Sequence, residues 1–379
     1  PESQHLGLRG GGSHRQTCRM APSLVAWRDV EELPDFSHMA SMPCQERARH
    51  STLALQDVAS SMDLPAWTSR MNAACFAATL DFEDVCTMAN QHPFGVATES
   101  VQQIHEEAAM VVLAGALDFG SSWRDELRDF HGKGTWPTVK QGVESMSNLC
   151  PELKAEWLFS LSEKAIAMHF GLDRAEHLGP FVSKLHQVVH EIGEKLVTNH
   201  VPSMADYIIK FLEEVRGDQY AASKVIQELA DMFPLAFQDV AYFKRLPIYF
   251  YKKAQEVVCE LHERFHLLDD RFNFADVDML TANVDPLVIA VLRKHQVVKT
   301  TWELARNLDE NMNLTTGGAA EVSLRAAATA ALEDMAWLAK LKGFQVSPMM
   351  LGNYLWGCLG KSEAYMFAQR HVNKDTSFY

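Results

Sequence analysis

The sequence predicts an all-α fold, a single globular helical domain that covers residues 39–379. Apolar residues recur with helical spacing in almost every segment from about Cys44 onward. The alternating, β-branched segments that are typical of strands are nearly absent. The breaks between helical segments are short and contain glycine or proline, as in HPFG at 92–95 and HGKGTWP at 131–137.

Residues 1–38 differ from the rest of the chain. The segment RGGGSHRQTCR is rich in glycine and arginine and has no periodic apolar pattern. Such a composition cannot bury enough apolar surface to fold alone. We therefore expect a disordered leader or an incomplete N-terminus here, with little support for a targeting signal.

The helical pattern continues nearly to the end of the chain. Between residues 100 and 119, Val101, Ile104, Ala108 and Val111 fall mainly on one broad face, which predicts a helix with one side against the core. The predicted helices cover residues 47–62, 66–80, 100–119, 151–170, 180–198, 203–215, 221–232, 248–265, 287–295, 298–307, 320–342 and 349–361.

Composition narrows the classes of function. The net charge of −14 argues against a protein that tracks along DNA or RNA phosphates, but it leaves room for one phosphorylated small molecule in a local cationic pocket. Seven scattered cysteines without a CxxC pair indicate a reducing compartment. The longest apolar run, 108–117, is too short to span a bilayer. We expect a cytoplasmic protein that binds neither membrane nor nucleic acid.

Several common catalytic motifs are missing. The sequence has no Walker loop, no GxGxxG after a strand, no GxSxG and no HExxH. Two histidine pairs have the i, i+4 spacing that could hold a metal: His186 with His190, and His262 with His266, the latter following Cys259. Neither pair has a third ligand at a diagnostic distance, so we expect no metal site.

The segment 117–137 has two interpretations. As a functional segment, Asp118 or Trp123 would line a pocket between helices. As a structural segment, it would be a helix stop, after which Ser121 or Ser122 caps a new helix with acidic residues in its first turn.

The segment YFYKKAQ at 249–255 is equally ambiguous. An aromatic side chain beside a lysine could stack on a base and hold a phosphate. Alternatively, the aromatic residues pack in the core and the lysines form the solvated face of a helix, which the sequence alone favours.

Asp285 precedes Pro286 at the start of an apolar helix. Aspartate at the N-cap followed by proline at the first helical position is a common helix start, so capping is the first interpretation. A carboxylate at a helix end that faces a pocket is also suited to act as a general base.

Four ordered segments resemble the queuosine salvage proteins, which are queuosine 5′-phosphate N-glycosylases. The resemblance extends from about residue 100 to the end of the chain. The segments are FPLAFQDVAYFKRLPIYFYKKAQ at 233–255, FADVDMLTANVDPLVIAVLRK at 274–294, EVSLRAA at 321–327, and YLWGCLGK followed by RH and TSFY at 354–379.

This resemblance implies a helical architecture similar to that of DNA glycosylases, and hydrolysis of queuosine 5′-monophosphate to release queuine for tRNA modification. It implies no cofactor and no metal. Asp285 matches the catalytic aspartate of the family and Lys252 its active-site lysine, here a phosphate or ribose contact. Phe250 and Tyr251 are then pocket walls, Asp118 is a substrate contact, and Tyr379 closes the pocket. The alternative is a non-catalytic helical paralogue that binds a nucleotide or a protein partner.

The chain also departs from the family pattern. Pro286 and Leu287 replace a tyrosine and an arginine that follow the catalytic aspartate in the family. Gly115, three residues before Asp118, replaces an aspartate that precedes the motif at 117–119, and the last seven residues are less basic than usual. The resemblance thus indicates a divergent member with altered neighbours around Asp285.

Overall fold

Helices form most of the regular structure in the computed structural model, which describes residues 37–57, 64–88, 100–244, 246–365 and 367–379. The expected all-α architecture is confirmed. The leader expected at residues 1–38 falls almost entirely outside the described residues. No described helix combines the length and apolar character needed to cross a membrane.

The helices follow one another with short connections. They are α1 (Cys44–Asp57), α2 (Arg70–Ala77), α3 (Phe82–Met88), α4 (Val101–Leu117), α5 (Arg124–His131), α6 (Thr135–Leu149), α7 (Ala155–Ser160), α8 (Glu163–His169), α9 (Gly179–Thr198), α10 (Met204–Glu214), α11 (Ala221–Met232), α12 (Pro234–Phe237), α13 (Lys252–Phe265), α14 (Pro286–Lys294), α15 (Trp302–Asp309), α16 (Ala319–Leu341) and α17 (Pro348–Gly357). Short 3-10 helices lie at Ser37–Ser41, Ser121–Trp123, Glu176–Leu178, Asp270–Phe272, Val277–Met279 and Leu359–Lys361.

Four short strands form two antiparallel pairs. Strand β1 (Ala66–Thr68) pairs with β4 (Val298–Thr300), and β2 (Val240–Phe243) forms a hairpin with β3 (Leu246–Tyr249). Three predicted helices, at 66–80, 248–265 and 298–307, therefore begin with a strand instead. Aromatic and β-branched residues favour extended backbone where a partner strand is available, and that partner is distant in sequence for β1 and β4.

Other differences concern helix boundaries. The predicted helix at 151–170 is divided into α7 and α8, because the chain is extended at Leu161 and Ser162 and the hydroxyl of Ser162 accepts a hydrogen bond from the Ala165 amide. Helices α3, α6 and α12 were not predicted, whereas α5, with Asp125 and Glu126 in its first turn, is the new helix that the structural interpretation of segment 117–137 predicts. Gly132, which is left-handed at φ 77°, separates α5 from α6.

Residues 39–379 form one unit with several apolar clusters. The largest cluster joins α4, α6 and α9 to α13, and a second surrounds α14, α16 and α17. Helix α16 can pack closely on α1 and α2 because its middle is a run of small buried residues, Ala326–Ala331. The two clusters bring the ends of α4, α14 and α17 toward one cavity.

Gly115 permits a close approach of α4 and α13. A Cβ atom at this position would lie 2.1 Å from Cγ2 of Val257. A side chain at position 115 therefore requires Val257 or one of the two helices to shift. Glycine, which stands where the family pattern has an aspartate, avoids this overlap.

Candidate active site

A cavity of about 380 Å³ lies where three distant parts of the chain meet. Its walls come from residues 118–137, from the start of α14, and from the segment between α17 and the last residue. The lining side chains include carboxylates, cations and aromatic rings: Asp118, Phe119, Ser121, Arg124, Arg128, Thr135, Trp136, Pro137, Asp285, Leu287, Trp356, Lys361, Arg370 and Tyr379. A volume of this size suits a small molecule.

Asp285 is both a helix cap and a cavity residue. It is the N-cap of α14, and its Oδ1 accepts a hydrogen bond of 2.7 Å from the Leu287 amide. Among the described residues, no donor bonds Oδ2. Burial raises the pKa of Asp285, while the charges of Lys252 and Arg370 oppose that rise. The same geometry of Asp285 is therefore compatible with helix capping and with a role as a general base.

Asp118 is the C-cap residue of α4, and its side chain is partly exposed to the cavity. Its Oδ2 lies 3.4 Å from Nζ of Lys252, whose second partner is Glu256 at 2.8 Å. Burial opposes the charge of Lys252, but Glu256 and Asp118 outweigh it and raise the pKa of this lysine. Burial raises the pKa of Glu256 to about 7. Lys252 is thus a charged residue held by carboxylates.

Lys252 does not line the main cavity as a phosphate contact would. It is 4% exposed and lies behind Asp118, and its ammonium group is already occupied by two carboxylates. Lys253 is also buried, at 1% exposed. The expectation that these lysines form a solvated helix face is wrong, because α13 begins inside the core.

Phe250 and Tyr251 do not line the main cavity either. Phe250 is buried under the guanidinium group of Arg325, at 3.8 Å, and borders a separate space of about 10 Å³. Tyr251 adopts a left-handed conformation, φ 50°, immediately before α13 and stacks on Tyr249 at 5.6 Å. These rings lie outside the lining of the main cavity, and their role as pocket walls stays a prediction.

Tyr379 lines the cavity. Its hydroxyl accepts a hydrogen bond of 3.1 Å from the Asn373 amide group, and its ring lies 4.9 Å from the guanidinium carbon of Arg325. The carbonyl oxygen of Tyr379 accepts a hydrogen bond from the Gly120 amide at 3.0 Å. Although it departs from the family pattern, the segment at 373–379 is well anchored.

The segment 117–137 combines parts of both interpretations. Asp118 faces the cavity, but Trp123 packs on Phe181 away from it. Neither Ser121 nor Ser122 caps a helix: Oγ of Ser121 has no partner within the described chain, and Oγ of Ser122 accepts from the Asn373 amide. The predicted serine cap is therefore wrong.

Four cations at the cavity were not predicted as site residues: Arg124, Arg128, Lys361 and Arg370. Arg124 pairs with Asp125 at 3.0 Å, whereas Arg128 and Arg370 have no ion pair within the described residues. Burial lowers the pKa of Arg370 to about 10, and the nearby Arg124 and Arg128 contribute to that drop. Unpaired positive charges that converge in one cavity favour an anionic ligand.

Two tryptophans add flat apolar surfaces. Trp136 is the second residue of α6. Trp356 lies near the end of α17, and Nζ of Lys361 is 4.0 Å from the centre of its ring. A sequence signal existed for part of this set, because Trp356, Lys361 and Arg370 belong to the family-like segment at 354–379. Within the described residues, no group of three or more histidine, cysteine, aspartate or glutamate side chains could hold a metal ion.

Comparison with known proteins identifies relatives. Residues 134–379 match the sequence model of the family described as queuosine salvage protein. A queuosine 5′-phosphate N-glycosylase/hydrolase from Sphaerobacter thermophilus is 23% identical over 234 residues, which is 62% of this chain and 69% of the relative. A protein of the same name from Dictyostelium discoideum is 22% identical over 229 residues, 60% of this chain and 65% of the relative.

Proposed function

The chain belongs to the queuosine salvage protein family, and from this premise we propose that it hydrolyses the N-glycosidic bond of queuosine 5′-monophosphate and releases queuine. The observation that carries the proposal is one cavity that contains Asp285, whose Oδ2 accepts no hydrogen bond from the described residues, and also Arg128 and Arg370, which have no ion pair among those residues. A nucleotide N-glycosidase requires both features, one for the sugar carbon and one for the phosphate.

Asp285 is proposed as the catalytic residue. Breaking the bond at C1′ develops positive charge on the sugar, and a fixed carboxylate stabilises that charge. The same carboxylate can orient and deprotonate the attacking water. Water supplies the hydroxyl group to C1′ and a proton to the departing base. The hydrogen bond from Leu287 uses Oδ1 and fixes the direction of Oδ2.

Arg124, Arg128 and Arg370 are proposed to bind the 5′-phosphate. One guanidinium group can donate two parallel hydrogen bonds to the oxygens of a phosphate. Arg128 and Arg370 have no ion-pair partner among the described residues. This assignment replaces Lys252, which instead fixes Asp118 and adds positive charge near Asp285. The arginine missing at position 287 is thus balanced by Arg370, which acts electrostatically on Asp285 from another segment.

Trp136 and Trp356 are proposed as surfaces for the base, with Asp118 as a polar contact and Tyr379 at the wall closed by the last residues. Aromatic side chains hold a flat heterocycle with little loss of conformational freedom.

The test is a base-release assay with the purified chain. Queuosine 5′-monophosphate should yield queuine, and Asp285→Asn should lower kcat by about 10²–10⁴ while the thermal melting curve stays close to that of the wild type. If the wild type binds the nucleotide but releases no base from any 5′-nucleotide, the non-catalytic paralogue is the better description. Full activity of a folded Asp285→Asn variant would contradict the role of Asp285.

A further inference from the structure

Lys253 connects two segments that each lead into a wall of the cavity. It is the second residue of α13 and is fully buried. Its Nζ donates one hydrogen bond of 2.6 Å to the carbonyl oxygen of Ala116 and another of 2.6 Å to that of Ser377. Ala116 leads into Asp118 and Ser377 leads into Tyr379, and both of these side chains line the cavity.

The surroundings of the ammonium group suit a cation. The Ala116 carbonyl belongs to the last turn of α4, where carbonyl groups have no partner within the helix. Positive charge is favourable at this end of a helix dipole. The aromatic faces of Phe119 and Phe237 lie 5.1 and 5.8 Å from Nζ. Phe119 itself lines the cavity.

The stability of the folded protein does not by itself favour a lysine at position 253. Within the described chain, no carboxylate lies at ion-pair distance from Nζ, so the charge is buried without a direct counter-ion, which is costly. An apolar side chain of similar length would fill the space at lower cost. It could not hold two carbonyl groups that belong to separate segments.

We propose that Lys253 is a positioning residue that fixes the wall carrying Asp118 and the wall carrying Tyr379 relative to each other. It acts through the backbone of Ala116 and Ser377 and contacts no ligand in the cavity. Its neighbour Lys252 bonds the Asp118 side chain directly. In the wall that carries Asp118, Lys253 thus holds the backbone at Ala116 and Lys252 holds the Asp118 side chain. Only the kinetic consequences rest on the proposed function.

Lys253→Met tests the proposal. Hydrogen exchange should become at least ~10-fold faster in the peptides covering 115–121 and 372–379, which include the Gly120 amide that bonds Tyr379. Peptides from α9 and α16 should be unchanged. With queuosine 5′-monophosphate, kcat/KM should fall by about 10², as expected when a catalytic wall is misplaced by roughly 1 Å. Lys253→Arg, which keeps charge and donors, should restore part of both effects.

Lys184→Met is the matched control. Lys184 also donates from Nζ to a carbonyl of the last segment, that of Asp375 at 2.8 Å, but through a solvent-exposed bond. Its loss should leave exchange in both peptides at the wild-type rate. If folded Lys253→Met retains wild-type protection in both peptides, the proposal is wrong, whether or not the chain has glycosidase activity.

A measurement on the wild type decides the case if Lys253→Met does not fold. Burial lowers the pKa of Lys253 to about 7, Lys252 lowers it further, and Asp118, Asp239 and Glu256 raise it; Lys253 also acts on Glu191 of α9. Between pH 6 and 9 the ammonium group therefore loses its charge, and charge-assisted hydrogen bonds weaken. Protection of the two peptides, corrected for intrinsic exchange and measured relative to α16, should fall. Protection that stays constant while the 15N NMR signal of Nζ shows the loss of its proton would overturn the proposal.

Discussion

At the scale of single residues, Asp285 uses its two carboxylate oxygens for different purposes. Oδ1 caps α14, and Oδ2 is available toward the cavity. Asparagine also caps helices well, whereas alanine does not. The two substitutions therefore separate structural from catalytic contributions.

We predict that Asp285→Ala lowers the free energy of unfolding by about 1 kcal/mol relative to Asp285→Asn, because only alanine removes the cap. Both variants should have similarly low base-release rates. Urea unfolding monitored by circular dichroism, together with the release assay, measures both quantities. Equal stability of the two variants would mean that the cap contributes little to α14.

The pH dependence of the reaction should reflect the burial of Asp285. Burial raises its pKa, and the base is active only when ionised, so kcat should fall with decreasing pH at a value above the usual range of an aspartate. Arg370 favours the ionised form, and we predict that Arg370→Gln moves this acid limb to higher pH. A kcat profile at saturating substrate tests the shift. Arg306→Gln, on the distant α15, is the control and should leave the limb in place.

At the scale of elements, α5 presents Arg124 and Arg128 to the cavity one helical turn apart. Both residues precede the part of the chain that matches the family model. We predict that Arg128→Gln raises KM for queuosine 5′-monophosphate by roughly 10-fold or more, since a hydrogen bond to a charged group contributes about 1.5–3 kcal/mol.

The unphosphorylated nucleoside provides the internal comparison for Arg128. Its kcat/KM should be the same in the wild type and in Arg128→Gln, because no phosphate contact is lost. Arg174→Gln changes an arginine whose side chain is 90% exposed and should alter neither substrate's kinetics. An equal loss for nucleotide and nucleoside would argue against a phosphate contact.

A second prediction at this scale follows from the contact between α4 and α13. Gly115→Ala should destabilise the protein by about 1–3 kcal/mol despite the better helix propensity of alanine, because its Cβ would overlap Val257. Combining it with Val257→Ala should recover part of the loss beyond additivity in a double-mutant cycle. Gly357→Ala, where no atom lies within 4 Å of the added Cβ, is the control.

At the scale of the whole molecule, helical periodicity was sufficient to predict the all-α fold. It could not predict β1 and β4, because strand pairing between residues 66 and 300 depends on tertiary contacts. The buried lysines of α13 were missed for a related reason: lysine is usually exposed, and only the neighbouring carboxylates and carbonyl groups permit its burial here.

The site was partly predictable. The family-like segments predict Asp285 and Tyr379 as site residues. The structure places both at one cavity with Asp118, and their roles remain predictions. Local sequence could not indicate that Arg128 and Arg370 converge, because nothing in either segment specifies the other. The cluster of aromatic residues around Phe250 indicates burial. Burial is equally typical of a hydrophobic core and of the wall of a ligand pocket.

Stability should also depend on pH through α13. Burial raises the pKa of Glu260 and Glu263 from 4.5 to about 7. The folded protein therefore binds more protons than the unfolded chain in this range, and the stability these groups add is present below pH 4.5 and lost as pH rises to 7.

We predict that Glu263→Gln, which stays neutral, reduces the drop in Tm between pH 5 and 8 by on the order of 1–2 °C. Differential scanning fluorimetry measures this difference. Glu310→Gln, at an exposed position, should keep the wild-type drop. A drop as large in Glu263→Gln as in the wild type would show that Glu263 does not titrate in this range.

The walls of the cavity also set an order of events during synthesis. The Asn373 amide bonds Oγ of Ser122 across 251 residues of sequence. At roughly 5–20 residues per second, the ribosome needs about 10–50 s to make the second wall after the first. The helices between them can fold in that interval, but a nascent chain cannot hold a nucleotide between both walls until its last segment has docked.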